Sequence, residues 1–294
     1  MSRGLDDSRA DIGDRGDRGA DRAAARDPVE EGRPAWPEAG LGLPREAERE
    51  RVQVRDRDYM LNAEEARTLA TVGAFRVVTS DDLASVDGDG PGRADTNRLE
   101  ALGLLRHETI ADTRGTTQVV TLTDQGKTLL DEHRDPSACG DAQACYAGIV
   151  KPRELRHDAQ VYRLFRAEAA RIEAEGGRVV RVVLDYELKR EYQQYLNRPG
   201  RPADATLEQD RRAFAEAHDL PVVRDHLELP DLRIEYETAD GRLEHRDVEL
   251  VTEHYSRGQL AGKTQAGFVM YRSGGGGGSR GGSPVDPRHL ERLA

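Results

Sequence analysis

Two acids in the last third of the chain carry its sharpest chemistry. Asp231 follows Pro230 at the head of the run LRIEYE, Glu249 lies near the end of LEHRDVELV, and Lys263 stands further on in SRGQLAGK. The first two runs flank a turn at Ala239, Asp240 and Gly241, which predicts an antiparallel hairpin. Two registers compete. A two-residue Asp-Gly loop sets Asp231 opposite Leu250 and places Glu237 against Glu244. A three-residue loop with Gly241 in the left-handed region sets Arg233 opposite Asp247, Glu235 opposite His245 and Leu232 opposite Val248. Unlike charges paired across strands stabilise and like charges destabilise, each by about 0.2–1 kcal/mol. The second register is therefore expected, and it brings Asp231 beside Glu249 on one face. Juxtaposed carboxylates repel unless a cation lies between them, and a hard divalent ion such as Mg²⁺ suits two such oxygens. The plainer alternative is a solvent-facing acid pair at a sheet edge.

The elements that must position these groups form a second domain over residues 151–272. LRHDAQVYRLFRAEAARIEAE is a long helix with an apolar stripe of Val161, Leu164, Phe165, Ala169 and Ile172, spaced for one face. His157 near its start reads as a structural or capping histidine. RVVRVVLDYEL is rich in β-branched residues and is expected at a sheet centre. Two helices follow, LKREYQQYLN and TLEQDRRAFAEAH, the second opened by a Thr206/Gln209 capping box. After the acidic hairpin come a short helix ending at Lys263 and a last strand, AGFVMY.

Residues 58–135 present a different order. NAEE is a capping box for a helix bearing Ala66, Leu69 and Ala70, FRVVT is a short β-run, and Ser80 caps DDLASV. ADTNRLEALG is helical and stops at Gly103, a C-cap glycine. LLRHETI and TQVVTL then make a hairpin around ADTRGT, and Thr123 caps a final helix. This sequence of elements reads as a winged helix. Arg93, Thr96, Asn97 and Arg98 lie at the start of the third helix, the end that enters a major groove, and Arg106 and Arg114 add phosphate contacts from strand and wing. Charge weighs against them. The segment holds eight basic and fifteen acidic residues, whereas duplex binding draws on phosphate neutralisation. The same fold used against a protein partner is the alternative, as is a small α+β domain without any nucleic-acid role.

Composition bounds the remainder. Residues 1–57 alternate Asp and Arg with little apolar content, which predicts a disordered leader. Residues 136–150, with Pro136, Cys139 and Cys145, read as a linker, and 273–294 as a Gly-rich tail ending in a short helix begun by Asp286-Pro287. Two thiols alone cannot complete a tetrahedral zinc site, so the cysteines are read as a reduced, bystander pair. No run is apolar and long enough for a membrane span, and the acidic N-terminus lacks the pattern of a signal peptide; a cytoplasmic location is expected. Lys127, Lys151, Lys189 and Lys263 are the only lysines, a usage associated with high-GC bacterial genomes.

The second domain's order of helix, strand, insert, acidic hairpin, helix and strand resembles the PD-(D/E)XK nuclease fold. Pro230-Asp231 matches its first motif and Glu249 its second acid. A winged helix followed by such a domain, over roughly Asp58 to Arg272, is similar to the replication-relaxation family of plasmids and integrative conjugative elements. The fold class so implied is α+β: an N-terminal winged helix, then an α/β restriction-endonuclease-like domain, with disordered N- and C-terminal tails. The lysine of the nuclease pattern lies two residues after the second acid, where this chain has Val251, and Lys263 stands in for it as a migrated lysine does in some relatives. The expectation is a DNA-associated protein of element mobilisation or replication, binding double-stranded DNA through the winged helix, with a nuclease-like domain that does not cleave and no resident cofactor. A relaxase or replication protein is the implied partner. One alternative is an Mg²⁺-dependent DNA endonuclease with Asp231 and Glu249 as metal ligands and Lys263 as phosphate stabiliser. Another is a winged-helix repressor or protein–protein adaptor.

Overall fold

Asn62 opens the first long helix by reciprocal capping. Its Oδ1 accepts from Glu65 N at 3.0 Å, and Glu65 Oε2 accepts from Asn62 N at 3.1 Å, satisfying two of the donors that a helix start leaves orphaned. The structure is a computed structural model describing residues 36–83, 93–112, 115–135, 143–149, 154–252 and 255–273. Before this helix lie β1 (Glu50–Val54) and β2 (Arg57–Leu61), an antiparallel ribbon. Then come α1 (Ala63–Phe75), β3 (Val78–Thr79), α2 (Ser80–Leu83), α3 (Arg93–Ala101), the paired β4 (Leu105–Asp112) and β5 (Gly115–Leu122), and α4 (Asp124–Glu132). The three strands order β3-β5-β4. Gly103 adopts φ +75° after α3, and Thr123 Oγ1 accepts from Gly126 N at 3.0 Å to start α4, both as the sequence predicts.

Residues 36–57, expected within a disordered leader, are structured. Trp36 packs on Phe75 and Phe165, with ring centroids 5.7 and 4.4 Å apart, and Leu41 is buried and bridges to Arg134. Val52, Val54, Tyr59 and Leu61 form the buried face of the β1–β2 ribbon. That alternation has the two-residue period of a half-buried strand, masked by the charge of the long segment around it. Residues 1–35 lie outside those described.

The second half begins with α5 (Leu155–Ala174), which buries its expected apolar stripe. β6 (Arg178–Leu184) follows, then an insert of α6 (Asp185–Leu196), α7 (Leu207–Ala217) and the small pair β7 (Val222–Val223) and β8 (His226–Leu227). β9 (Leu232–Glu237), β10 (Leu243–Val251), α8 (Arg257–Gln265) and β11 (Val269–Arg272) complete it. The sheet orders β11-β10-β9-β6, antiparallel except for the β10–β11 pair, which α8 crosses over to make parallel.

β6 is therefore an edge strand, not the sheet centre that its composition suggested, and it ends at Leu184, where α6 starts. β-propensity reports a fit to a half-buried pleated surface and does not fix the place in a sheet. The edge is closed by a side chain. Gln143 donates from Nε2 to Val182 O and accepts from Val182 N, both at 2.9 Å, while Trp36 Nε1 donates to Gln143 Oε1 at 2.9 Å. The stretch read as a linker thus packs where it is described, over 143–149: Tyr146 N donates to Gly73 O and Gly148 N to Leu122 O. Cys145 is buried there; Cys139 lies outside the described residues.

One hydrophobic cluster runs through both halves, from Leu69, Phe75 and Leu129 to Phe165, Val182 and Ile234. Each such large side chain contributes about 1.5–3 kcal/mol by burial. Charges rivet the same boundary: Arg163 Nε lies 2.9 and 2.7 Å from the two oxygens of Asp82, and Arg156 donates to Gly115 O at 3.0 Å. Among the described residues no helix is long and apolar enough to cross a membrane. The Gly-rich tail and its expected terminal helix lie beyond the described residues, which end at Ser273.

Candidate acid site at the end of the hairpin

The β9–β10 ladder pairs Arg233 with Asp247, Glu235 with His245 and Leu232 with Val248, with Gly241 at φ +80°. This is the charge-paired register, and Arg233 makes it chemically explicit by donating to both oxygens of Asp247 at 2.7 and 2.8 Å. One step beyond the last pair, Asp231 and Glu249 lock together. Asp231 N donates to Glu249 Oε2 at 3.2 Å, and Leu250 N donates to Asp231 Oδ2 at 2.8 Å.

Lys263 arrives from α8. Its Nζ lies 3.2 Å from Glu249 Oε1 and 3.6 Å from Glu228 Oε2, and donates to Leu229 O at 2.5 Å. Gly262 beside it is buried against Glu228, where an added Cβ would come within 2.9 Å of Oε1. Val251, in the place where the nuclease pattern has lysine, is buried with Phe268 and Met270. Thus Asp231, Glu249 and Lys263 meet.

Two residues join them that sequence reasoning had left out. His157 of α5 points Nε2 at Asp231 Oδ2, 3.2 Å away, and its Nδ1 lies 3.6 Å from Asp158 Oδ1. Tyr255 donates its hydroxyl to Glu249 Oε1. No spacing in the sequence announces the His157 contact, because His157 stands 74 residues before Asp231 and is brought to it only by the packing of α5 on the sheet. A crevice of about 10 Å³ runs past this cluster, lined by Phe75, His157, Asp158, Tyr186 and Asp231 among others. A wider cleft of about 340 Å³, lined by Arg55, Arg57, Asp124 and Gln125, shares no lining residue with the acids.

Electrostatics separates the two carboxylates. Burial and the charge of Asp231 push Glu249 up to about 7, against the pull of Lys263 and Tyr255. Burial also opposes the ionised form of Asp231, but the hydrogen bond and charge of His157, with the Leu250 amide, outweigh it and hold Asp231 below the usual carboxylate range. Burial lowers His157, yet Asp158 and Asp231 more than compensate and carry it up to about 10. One acid therefore stays ionised beside an imidazolium while the other shares its charge with an ammonium.

The donors as arranged do not fit a divalent cation. Mg²⁺ demands near-octahedral oxygen ligands, whereas both oxygens of Glu249 and one of Asp231 already accept hydrogen bonds, and two protein cations stand against them. Among the described residues no group of three or more His, Cys, Asp or Glu is placed to hold a metal ion.

The residues expected to face nucleic acid are dispersed in role. Thr96 is buried at 1% exposure. Arg98 Nη1 pairs with Glu65 Oε1 at 2.7 Å, and Nη2 donates to Met60 O at 2.9 Å, so this arginine ties α3 to α1 and β2. Asn97 is exposed, and Arg106 is exposed with Glu108 at 3.7 Å. Arg93 opens α3, but its side chain, like the whole of Arg114, lies outside the described residues, as do Glu253 and His254. Comparison with models of known families, with curated proteins and with solved structures finds no match to this chain.

Proposed function

We propose that this protein is a DNA-associated factor of plasmid or integrative-element mobilisation or replication. In this reading the N-terminal half is a winged helix that docks on duplex DNA or on a replication or relaxase partner, and the second half is a restriction-endonuclease-like domain that does not cleave. The observation that carries it is the meeting of Asp231, Glu249 and Lys263 at one end of a sheet ordered β11-β10-β9-β6, with α5 before it and α8 crossing over. The occupation of those carboxylates by His157, Lys263, Tyr255 and backbone amides is what argues against cleavage. Phosphodiester hydrolysis requires stabilisation of the charge developing on phosphate, worth on the order of 2.7–4 kcal/mol per well-placed contact, and Lys263 is here spent on Glu249 and Leu229 O.

An Mg²⁺-dependent endonuclease is the second reading, favoured by one observation, the delivery of Lys263 to Glu249 from α8. Incubation of the full chain with supercoiled plasmid and Mg²⁺ or Mn²⁺ separates the two. No nicking is expected; nicking abolished by both Asp231→Ala and Lys263→Ala would establish the enzyme. Fluorescence anisotropy with duplex DNA is expected to show weak binding that falls steeply with salt, because phosphate contacts release counterions, and Arg106→Ala with Arg114→Ala should weaken it. Absence of binding at low salt would remove the DNA-docking reading.

A further inference from the structure

Arg76 has no role in the chemistry described so far, and its backbone lies in the left-handed region. At the end of α1 it adopts φ +64°, ψ −51°, and Val77 N donates to Phe75 O at 2.6 Å across it. This is a γ-turn with positive φ, a rare and strained conformation. Glycine would adopt a positive φ without the steric penalty of a Cβ, and glycine is the usual residue at a left-handed helix stop. Strain kept at a buried charged residue points to a side chain that is needed where it is.

That side chain crosses from the N-terminal half into the second. Arg76 is 6% exposed; its guanidinium lies over the Tyr186 ring at 4.5 Å, and Nη1 is 3.6 Å from Asp158 Oδ2. Asp158 turns its other oxygen, Oδ1, to His157 Nδ1 at 3.6 Å. The opposite ring nitrogen of His157 then meets Asp231 Oδ2 at 3.2 Å, and the same Asp231 oxygen takes the Leu250 amide at 2.8 Å. The imidazole is thus oriented at both nitrogens, and the group orienting its far side is itself held by Arg76. A ring fixed by a carboxylate on one nitrogen presents the other in a defined direction.

We infer that Arg76 is a positioning residue lent by the N-terminal half to the acid site, fixing Asp231 through Asp158 and His157. The inference deepens the functional reading above by making the acid site depend on an element of the half proposed to dock on DNA. It rests on that reading for its meaning, but its test reads geometry alone and can fail while that reading stands.

The Leu250 amide is the reporter, since its hydrogen bond runs to the Asp231 side chain and not to a strand partner. Hydrogen exchange measured on the full chain by NMR compares wild type with Arg76→Gly, Arg76→Lys and Asp158→Asn. Arg76→Gly relieves the positive φ, so the turn survives while the guanidinium is lost. Its Leu250 amide is expected to exchange about tenfold faster relative to the amides of the β9–β10 ladder, the effect of weakening one hydrogen bond locally. Arg76→Lys, which keeps the charge, should recover most of the protection. Unchanged protection at Leu250, or acceleration equal to that of the whole ladder, overturns the proposal. Should Arg76→Gly fail to fold, Asp158→Asn carries the same expectation and the same refutation, because it removes the middle link of the chain.

Discussion

Glu249, at 1% exposure, is a buried carboxylate that pairs with the Lys263 ammonium beside hydrogen bonds from Tyr255 and the Asp231 amide. The ammonium lies 3.2 Å away, on a side chain only 15% exposed. Removing one partner of a buried pair costs about 3–5 kcal/mol, because the other is left charged and uncompensated, whereas removing both is far milder. Lys263→Met is therefore expected to destabilise the protein by about 3 kcal/mol in urea denaturation, and adding Glu249→Gln should restore a large part of that loss. Glu249 has a way out that softens the penalty: its affinity for a proton is already raised, so in the lysine variant it will take one up. Equal stability of Lys263→Met and wild type would mean that the ammonium contributes little and that Glu249 is neutral at working pH.

Among the elements, α4 is seated directly on the backbone that precedes β4. A Cβ at Gly126 would lie 2.2 Å from the backbone oxygen of Leu104 and 2.9 Å from Leu122, and backbone cannot yield as a side-chain tip does. Gly126→Ala is expected to lower stability by about 3 kcal/mol or more, at or above the upper end for overpacked sites, read as a shift of the urea midpoint at constant slope. How much of this was legible in the sequence differs by element. The acidic hairpin was readable to the residue, because charge pairs and a glycine turn specify register locally. The capping boxes at Asn62 and Thr206 were equally local, and both are present. The β1–β2 ribbon was hidden inside a segment whose average charge suggested no structure. His157 was legible only as a residue type: its contact with Asp231 depends on how α5 lies across the sheet, which no spacing encodes. The same holds for Arg98, whose place on a helix start suggested DNA while its tertiary neighbour Glu65 engages it within the chain.

For the whole molecule, the aromatic group of Trp36, Phe75, Tyr162 and Phe165 decides whether the halves are separable. Phe75 belongs to α1, Tyr162 and Phe165 to α5, and Phe75 lies 5.0 Å from each of the other two rings. A fragment of residues 58–135 would expose Phe75 and lose Trp36, β1 and the Arg163–Asp82 pair together. It is expected to be unfolded or aggregated in isolation, whereas residues 34–273 should unfold in one transition, with Trp36 fluorescence and far-ultraviolet circular dichroism coincident. Two separated transitions in the longer chain would show that the shared core does not couple them.

The Gln143 amide that sits on Val182 has a meaning outside the fold of one copy. A strand at a sheet margin offers unpaired N–H and C=O groups to any passing chain, and proteins must blunt such margins to stay dispersed. Here one amide imitates a peptide unit and takes the place that a foreign strand would occupy, with Trp36 holding it in position. The residue that looks like filler in a connecting stretch thus blunts an open sheet margin, and Gln143→Ala is expected to show concentration-dependent association in light scattering.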